Sequence, residues 1–197
     1  MSRRAHPIEI ESYAILRSRI DLSARPPLCR AVTERVIHAS ADVGYADDLV
    51  CTEQALSAGH EALHAGAPLV VDSRMLAAGV TSRGVAEFLS DPRTAHRASA
   101  GETTRAAAAM RLASEETGPG AVWAIGNAPT ALAELLRLDV EPALIVSLPV
   151  GFVGAVEAKA ALCASGLRAL TNRSEKGGAP VAAAAVNALL YHRAEDE

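Results

Sequence analysis

AVWAIGNAPTALAELLRLDVEPALIVSL, residues 121–148, predicts a strand, a helix and a second strand in succession. Ala121–Ile125 and Ala143–Leu148 are apolar runs of strand length. Pro129 suits the first turn of the intervening helix, which we expect to end near Leu138. Two parallel strands in one sheet need such a crossover helix, and the crossover is right-handed. The stretch therefore indicates an α/β fold.

The same alternation extends outward from this unit. We expect further strands and helices at Pro68–Asp72, Val85–Leu89, Thr103–Thr117, Val153–Ala164, Arg168–Thr171 and Pro180–Tyr191. Before the first clear strand we expect three helices, Pro7 to about Asp21, Pro27–Ser40 and Thr52–Gly66. We therefore predict a single-domain layered α/β fold, with a mainly parallel sheet flanked by helices and preceded by N-terminal helices. The domain would span residues 1–197, with a core of about 7–192 and a frayed tail at Glu195–Glu197.

Composition narrows the class of protein. Half of the 197 residues are hydrophobic but only 3% are aromatic, so we expect closely packed helices and small core side chains. Nineteen Lys and Arg against 23 Asp and Glu disfavour a broad nucleic-acid surface. Three cysteines without a Cys-x-x-Cys pair suit reduced thiols that fill the core. Because no apolar run approaches membrane-spanning length and the N-terminus lacks a secretory pattern, we expect a cytoplasmic protein with no membrane partner.

The loops that follow the predicted strands are the first place to look for a site. In parallel α/β sheets, ligands bind at the carboxyl ends of the strands. The loops concerned are Asp72–Ser73, Gly126–Asn127, Leu148–Gly151 and Thr171–Asn172. Their glycines do not form a nucleotide-binding motif, because Gly151-Phe152-Val153-Gly154 lacks the G-x-G-x-x-G spacing and Gly177-Gly178 is not followed by Lys-Ser/Thr. They could bring backbone N–H groups to an anionic ligand, or simply form tight turns.

His60-Glu61-Ala62-Leu63-His64 matches the H-E-x-x-H pattern of zinc hydrolases. The two histidines would share one helix face, and Glu61 would be the general base. The extended zinc-protease pattern fails, however, because Ala67 and Val70 stand where Gly and His are expected. Glu87 is the only distant third ligand that suggests itself. A chance match on a solvated helix is the favoured interpretation.

His38 is the candidate proton donor. On the predicted Pro27–Ser40 helix it lies far around from the Leu28-Val32-Val36 stripe, so it is not an obvious core residue. Histidine changes charge near neutral pH and can act as a general acid, and nearby Glu34 or Asp42 could keep it charged. A solvated surface histidine is the alternative.

Arginines are the candidates for binding an anion. Arg105 lies in the first turn of its predicted helix, where the helix dipole disfavours a cation, so its position suggests an anionic partner. A solvated arginine would be equally compatible with the sequence. Arg17 is a second candidate.

Several segments together resemble the precorrin-8X methylmutase family over about Pro7 to Leu190. The motifs are Ile8-Glu9-x-Glu11-Ser12-Tyr13-Ala14-Ile15-Leu16-Arg17, Arg35-Val36-Ile37-His38-Ala39, Gly66-Ala67-Pro68-Leu69-Val70 with Asp72-x-x-Met75-x-x-x-Gly79-Val80-Thr81, Thr104-Arg105-x-Ala107-Ala108, Ala124-Ile125-Gly126-Asn127-Ala128-Pro129-Thr130-Ala131-Leu132, Pro149-Val150-Gly151-Phe152-Val153-Gly154-Ala155-x-Glu157-x-Lys159, and Gly177-Gly178 with Ala184-Ala185-x-Asn187-Ala188-Leu189. The strings around Gly126 and Pro149 are the most family-specific. Tyr13 departs from the family's common phenylalanine, and Thr104 precedes Arg105 in a variable stretch.

The resemblance implies a homodimeric isomerase of cobalamin biosynthesis that needs no cofactor. Such an enzyme moves a methyl group from carbon 11 to carbon 12 of precorrin-8X, or of cobalt-precorrin-8, and the metal-free reaction gives hydrogenobyrinate. His38 falls on the family's catalytic histidine. The substrate-binding residues implied or suggested by this match are Ser12, Arg17, Thr81, Arg105, Gly126, Asn127 and Gly151.

Two other classes of function stay open at this point. A non-catalytic tetrapyrrole carrier would bind the same precursor without changing it. A zinc hydrolase would use His60 and His64 and would bind metal stoichiometrically.

Overall fold

The computed structural model describes residues 6–81 and 83–192, and the tail at Glu195–Glu197 lies outside them. The elements run in the order α1 (Pro7–Arg19), α2 (Pro27–Ser40), α3 (Tyr45–Asp48), β1 (Leu49–Val50), α4 (Glu53–His64), β2 (Leu69–Val71), α5 (Arg74–Gly79), β3 (Ala86–Glu87), α6 (Pro92–Ala100), α7 (Arg105–Thr117), β4 (Val122–Ile125), α8 (Pro129–Leu135), β5 (Leu144–Ser147), α9 (Ala155–Ala164), β6 (Ala169–Asn172) and α10 (Ala179–Tyr191). Pro7, Pro27 and Pro129 each begin a helix, where the missing N–H costs nothing.

The sheet has six strands in the order β1-β6-β5-β4-β2-β3. All pairs are parallel except β1 with β6, in which Leu49 lies opposite Asn172. The predicted α/β fold with a mainly parallel sheet flanked by helices is therefore confirmed. The β4–α8–β5 unit is the centre of this sheet.

Two apolar layers cover the sheet. Helices α2, α4 and α10 pack on one face, and α7, α8 and α9 pack on the other. Small side chains allow close approach, as the composition predicts: a Cβ on Gly59 of α4 would lie 2.3 Å from the side chain of Leu144. Strand residues alternate between the layers, so that Trp123 packs with α7 and α8 while Val122 and Ala124 pack with α10.

The three predicted helices, α1, α2 and α4, precede the first clear strand, β2, but a two-residue strand that was not predicted lies among them. The short strand β1 comes before α4 and pairs antiparallel at the edge of the sheet. Two residues are too few to show a strand periodicity, and β1 is fixed by its tertiary pairing with β6. Helices α3, α5 and α6 were not predicted either; the first two are shorter than two turns, and α6 (PRTAHRASA) has only Thr94 and Ala98 buried.

The cysteines occupy three different environments. Cys29 is buried, Cys51 is half-buried and Cys163 is exposed, so the interpretation of all three as core residues is wrong for Cys163. Among the described residues, no helix is long and apolar enough to cross a membrane.

Candidate active site

His38 lies on the last turn of α2 and is held by two residues of α1. The Oγ atom of Ser12 is 2.8 Å from its Nδ1 atom. The ring of Tyr13 stacks on the imidazole with a centroid distance of 5.0 Å and an angle of 5° between the planes. All three side chains are half-buried. This geometry fixes the plane of the imidazole and leaves Nε2 as the nitrogen that Ser12 does not contact.

The acidic residues near His38 have other partners. Glu34 is buried and accepts two hydrogen bonds from Arg17, 2.9 Å from Nε and 2.8 Å from Nη2. Asp42 accepts a hydrogen bond of 2.7 Å from Nζ of Lys176. Among the described residues, neither carboxylate forms a hydrogen bond or ion pair with His38, and a cationic side chain binds each of them.

Arg17 has a structural partner that the sequence did not predict. The hydrogen bonds from Arg17 to Glu34 raise the pKa of the guanidinium. Its side chain remains 63% exposed, and it lies over the ring of Tyr13, 5.7 Å from the centroid. A second ion pair between the same helices joins Arg35 to Glu9 at 2.8 Å. Arg17 thus braces the surroundings of His38 while a large part of its side chain faces solvent.

His38 lies on the side of the molecule where the parallel strands end. Asp42, four residues after His38, binds Lys176 in the loop that follows β6. The same loop continues to Gly178, whose N–H donates to the carbonyl of Leu148 at 2.8 Å. The last turn of α2 therefore lies beside the loop that joins β6 to α10.

Asp72 organises the loop between β4 and α8 at this edge. Its buried carboxylate accepts hydrogen bonds from the N–H groups of Gly126, Asn127 and Ala128 at 2.8 to 3.1 Å. Burial raises the pKa of Asp72, and these hydrogen bonds act in the opposite direction. The side chain of Asn127 is also engaged, because its Oδ1 accepts a bond of 2.6 Å from Ser73. These hydrogen bonds hold the backbone of the loop between β4 and α8 against Asp72 and Ser73.

The two candidate glycines have different surroundings. Gly126 is buried, and a Cβ on it would lie 2.9 Å from the Cα of Ala179 and 3.1 Å from the Cβ of Ala182. Its missing side chain therefore leaves room for the close approach of α10. Gly151 has φ = 146° and open space around its Cα, and its N–H donates to the backbone carbonyl of Glu175. Only Gly151 offers an open backbone approach.

Arg105 is at the same edge, on the opposite face of the sheet from His38. It is the exposed first residue of α7 and follows the N-cap Thr104, whose Oγ1 bonds to Thr130 in the first turn of α8. It makes no salt bridge with any carboxylate among the described residues. This arrangement is compatible with the anion-binding role that the sequence suggests.

Thr81 is not brought to this edge. Its Oγ1 atom lies 2.6 Å from the hydroxyl of Tyr191, at the end of α10, and its N–H donates to Asn187. Ala179, which contacts Gly126, is at the beginning of the same helix. At 1.5 Å per residue, the two ends of α10 are about 18 Å apart. In this chain, Thr81 and Gly126 therefore lie at opposite ends of α10.

Comparison with known proteins assigns the family. The sequence profile described as precorrin-8X methylmutase matches residues 7–192, nearly the whole chain and every site residue described above.

The chain belongs to the precorrin-8X methylmutase family.

Solved and curated members of the precorrin-8X methylmutase family agree with this assignment. A structure of precorrin-8X methylmutase from Thermus thermophilus has a TM-score of 0.85 at 38% identity and covers 93% of each chain. The precorrin-8X methylmutase of Pseudomonas aeruginosa is 40% identical over 97% of each chain. The cobalt-precorrin-8 methylmutase of Salmonella typhimurium is 39% identical over 97% of this chain and 94% of its own. The family's activity is a methyl shift in cobalamin biosynthesis, so the chain is an isomerase.

Two charged residues that hold the loop after β6, Lys159 and Asp48, were not predicted from the sequence to have this role. Lys159, buried on α9, donates hydrogen bonds of 2.7 Å to the carbonyls of Ser174 and Lys176. Burial lowers the pKa of Lys159 to about 8. Asp48 accepts hydrogen bonds from Arg173 and Ser174 in the same loop. A lysine within an otherwise mostly apolar helix, as in AVEAKAALCA, was the signal available for Lys159.

The side chains of the H-E-x-x-H motif make contacts within the fold. Nδ1 of His60 bonds to the carbonyl of Leu189 at 2.9 Å, and Glu61 is exposed and accepts from Ser57. The rings of His64 and His192 lie 4.3 and 5.8 Å from that of His60. Throughout residues 6–81 and 83–192, no three His, Cys, Asp or Glu side chains are arranged to hold a metal ion. The zinc-hydrolase alternative therefore lacks a ligand set in the described part of the chain.

Proposed function

We propose that this chain moves a methyl group from carbon 11 to carbon 12 of precorrin-8X, giving hydrogenobyrinate, and that His38 is the acid. The observation that carries the proposal is the half-buried imidazole of His38, fixed by Ser12 at 2.8 Å on the side where the parallel strands end. It occurs in a chain that matches the family over residues 7–192.

Protonation is the task that the site can perform. A methyl shift within a conjugated macrocycle releases no leaving group, so the enzyme must hold the ring and bias its electron distribution. As imidazolium, His38 would donate its Nδ1–H to Ser12 and retain an Nε2–H for a ring nitrogen of the substrate. The bond from Nε2 would strengthen as the migrating methyl changes the basicity of the ring, which favours the transition state over the bound substrate.

Binding would depend on the acetate and propionate arms of the substrate. Arg105, exposed at the start of α7, is the best-placed candidate for carboxylate recognition, whereas the open space at Gly151 would let the macrocycle approach the backbone. Arg17 would combine its bond to Glu34 with a contact to the substrate through its exposed part. Gly126 and Asn127 would act by holding the loop, whereas Ser12 would act through His38. Thr81 is proposed on the motif match alone.

The remaining proposals concern the state of the enzyme. We propose that the enzyme is a cytoplasmic homodimer. Each of its two chains would form one methylmutase-like domain, residues 1–197 with a core of about 7–192. Neither nucleic acid nor membrane is a partner, and the isomerisation requires no cofactor because it involves no net oxidation.

The experiment uses the purified chain with precorrin-8X and follows the visible spectrum. We expect conversion by the wild type, and a loss of about 10²- to 10⁴-fold in kcat for His38→Ala with binding retained. His96→Ala, at an exposed histidine of α6, is the matched control and should convert normally. A near-normal kcat for His38→Ala would remove His38 from the acid role. Binding without conversion by the wild type would favour a tetrapyrrole carrier.

Cobalt-precorrin-8 is the second candidate substrate. The supporting observation is that the Salmonella typhimurium relative with that name is 39% identical, against 40% for the Pseudomonas aeruginosa precorrin-8X methylmutase. Running both substrates in parallel decides between them, because the natural substrate should show the higher kcat/KM.

A further inference from the structure

Cys29 and Cys51 are in direct contact although 22 residues separate them. Their Sγ atoms lie 3.6 Å apart. Cys29 is in the first turn of α2, and Cys51 directly follows β1. Glu53, the first residue of α4, fixes this approach because its carboxylate accepts the N–H groups of Leu28 and Cys29 at 2.9 and 3.0 Å. The hydrogen bonds from α2 to Glu53 of α4 therefore hold the two thiols close together.

One cysteine of the pair lines a groove on the surface. Cys51 lines an open groove of about 900 Å³, together with Thr52, Gln54 and Arg168. The groove lies at the edge where the parallel strands begin, away from His38 and the loops at their carboxyl ends. Cys29 is buried behind Cys51. Of the pair, Cys51 is therefore the cysteine that a small reagent in this groove would meet, although the exposed Cys163 lines the same groove.

The surroundings make the two thiols unequal. The hydrogen bond with Cys29 lowers the pKa of Cys51, burial opposes this, and the positive charge of Arg25 adds to the lowering. The same hydrogen bond and burial raise the pKa of Cys29. Because the thiolate is the nucleophile in disulfide exchange, Cys51 is suited to attack first and Cys29 to follow.

We propose that Cys29 and Cys51 are a redox-active pair that forms a reversible disulfide by exchange with a small-molecule disulfide entering the groove. The Cys51 thiolate attacks one sulfur of the small disulfide, which releases one thiolate and leaves a mixed disulfide on Cys51. The Cys29 thiolate then attacks Sγ of Cys51 and releases the second. The protein loses two protons and two electrons, and the electrons reduce the small disulfide to two thiols.

The cross-link would tie the beginning of α2 to the β1–α4 junction. To form the disulfide, the distance between the two Sγ atoms must shorten from 3.6 Å to about 2.05 Å. This is a small movement for two side chains that lie on different elements. His38 is on the same helix but at its other end, so the disulfide should leave turnover unchanged while it restricts the unfolded chain. The pair would act on stability and not on catalysis.

The test uses the full chain carrying Cys163→Ser, which removes the exposed third thiol. The protein is equilibrated in buffers of reduced and oxidised glutathione, its free thiols are alkylated, and its intact mass and linked peptides are measured. We expect two alkyl groups under reducing conditions and none under oxidising conditions, with one peptide containing both Cys29 and Cys51. Adding Cys51→Ser should leave one alkylatable thiol or one bound glutathione.

Two results would overturn the proposal. One is two alkylatable thiols in the most oxidising buffer, and the other is a stable glutathione adduct on Cys51 without closure to Cys29. Urea unfolding supplies an independent readout: the oxidised chain should have a higher midpoint than the reduced chain, and this shift should vanish with Cys51→Ser. An unchanged midpoint in the cross-linked chain would refute the effect on stability.

Discussion

The Oγ atom of Ser12 lies 2.8 Å from Nδ1 of His38, across the contact between α1 and α2. A serine hydroxyl can accept from Nδ1–H when the imidazole is charged and donate to Nδ1 when it is neutral. Ser12 can therefore hold the ring before and after proton transfer, while Nε2 keeps the same direction. The position of the proposed acid therefore depends on α1. The sequence predicts α1 as a helix but does not show that it packs against His38.

Replacing Ser12 with Ala should reduce kcat more than it raises KM. One lost hydrogen bond of about 1.4 kcal/mol corresponds to roughly tenfold in rate. Steady-state kinetics with precorrin-8X measures the effect, and Ser18→Ala, at an exposed serine of the same helix, is the control. If Ser12→Ala raised KM and left kcat unchanged, Ser12 would be a substrate contact and not a support for His38.

Replacing Arg17 with Met should destabilise the protein as well as weaken substrate binding. The buried carboxylate of Glu34 would lose both hydrogen bonds, at a cost of about 1–3 kcal/mol in the free energy of unfolding. Urea denaturation measures this cost. The double variant Arg17→Met/Glu34→Leu removes the unpaired carboxylate and should recover part of it. A fully additive loss in the double variant would show that the pair is not coupled.

The Arg17 pair also illustrates how far sequence reasoning reaches. The β4–α8–β5 unit and the helices that begin at proline could be predicted because each depends on local pattern. The bond from Arg17 to Glu34 could not, because it depends on the angle at which α1 crosses α2. The crossing angle also brings Tyr13 of α1 against His38, whereas a charged neighbour for His38 was sought among residues close to it in the chain, Glu34 and Asp42.

Gly126 shows a second limit, because the reason for a glycine depends on what packs against it. Gly126→Ala should destabilise the chain by about 1–3 kcal/mol, since the new Cβ would lie 2.9 Å from the backbone of Ala179. Gly84→Ala is the matched control, since a Cβ there meets no atom within 4 Å. Thermal unfolding of both variants tests the difference. A stable Gly126→Ala chain would mean that α10 shifts without cost.

Asp48 should make the stability of the chain depend on acid pH. Burial acts to raise the pKa of its carboxyl, but hydrogen bonds from Ser174, Asn172 and Arg173 outweigh this and lower it below its usual value. A carboxyl with a lowered folded-state pKa contributes stability above its unfolded pKa of about 3.9, and this contribution is lost as pH falls through the folded pKa. In Asp48→Asn, the same fall from about pH 5 to pH 3 should therefore cost less free energy of unfolding than in the wild type.

Urea titrations at a series of pH values measure the effect of Asp48. The gap in stability between wild type and Asp48→Asn should be largest near neutral pH and should narrow below about pH 4. Asp139→Asn, at an exposed aspartate outside this network, is the control. A gap that stays constant down to pH 3 would mean that the charge of Asp48 does not stabilise the fold. The role of Asp48 would then be limited to the shape of its hydrogen bonds with the loop that follows β6, a role that the neutral amide only partly reproduces.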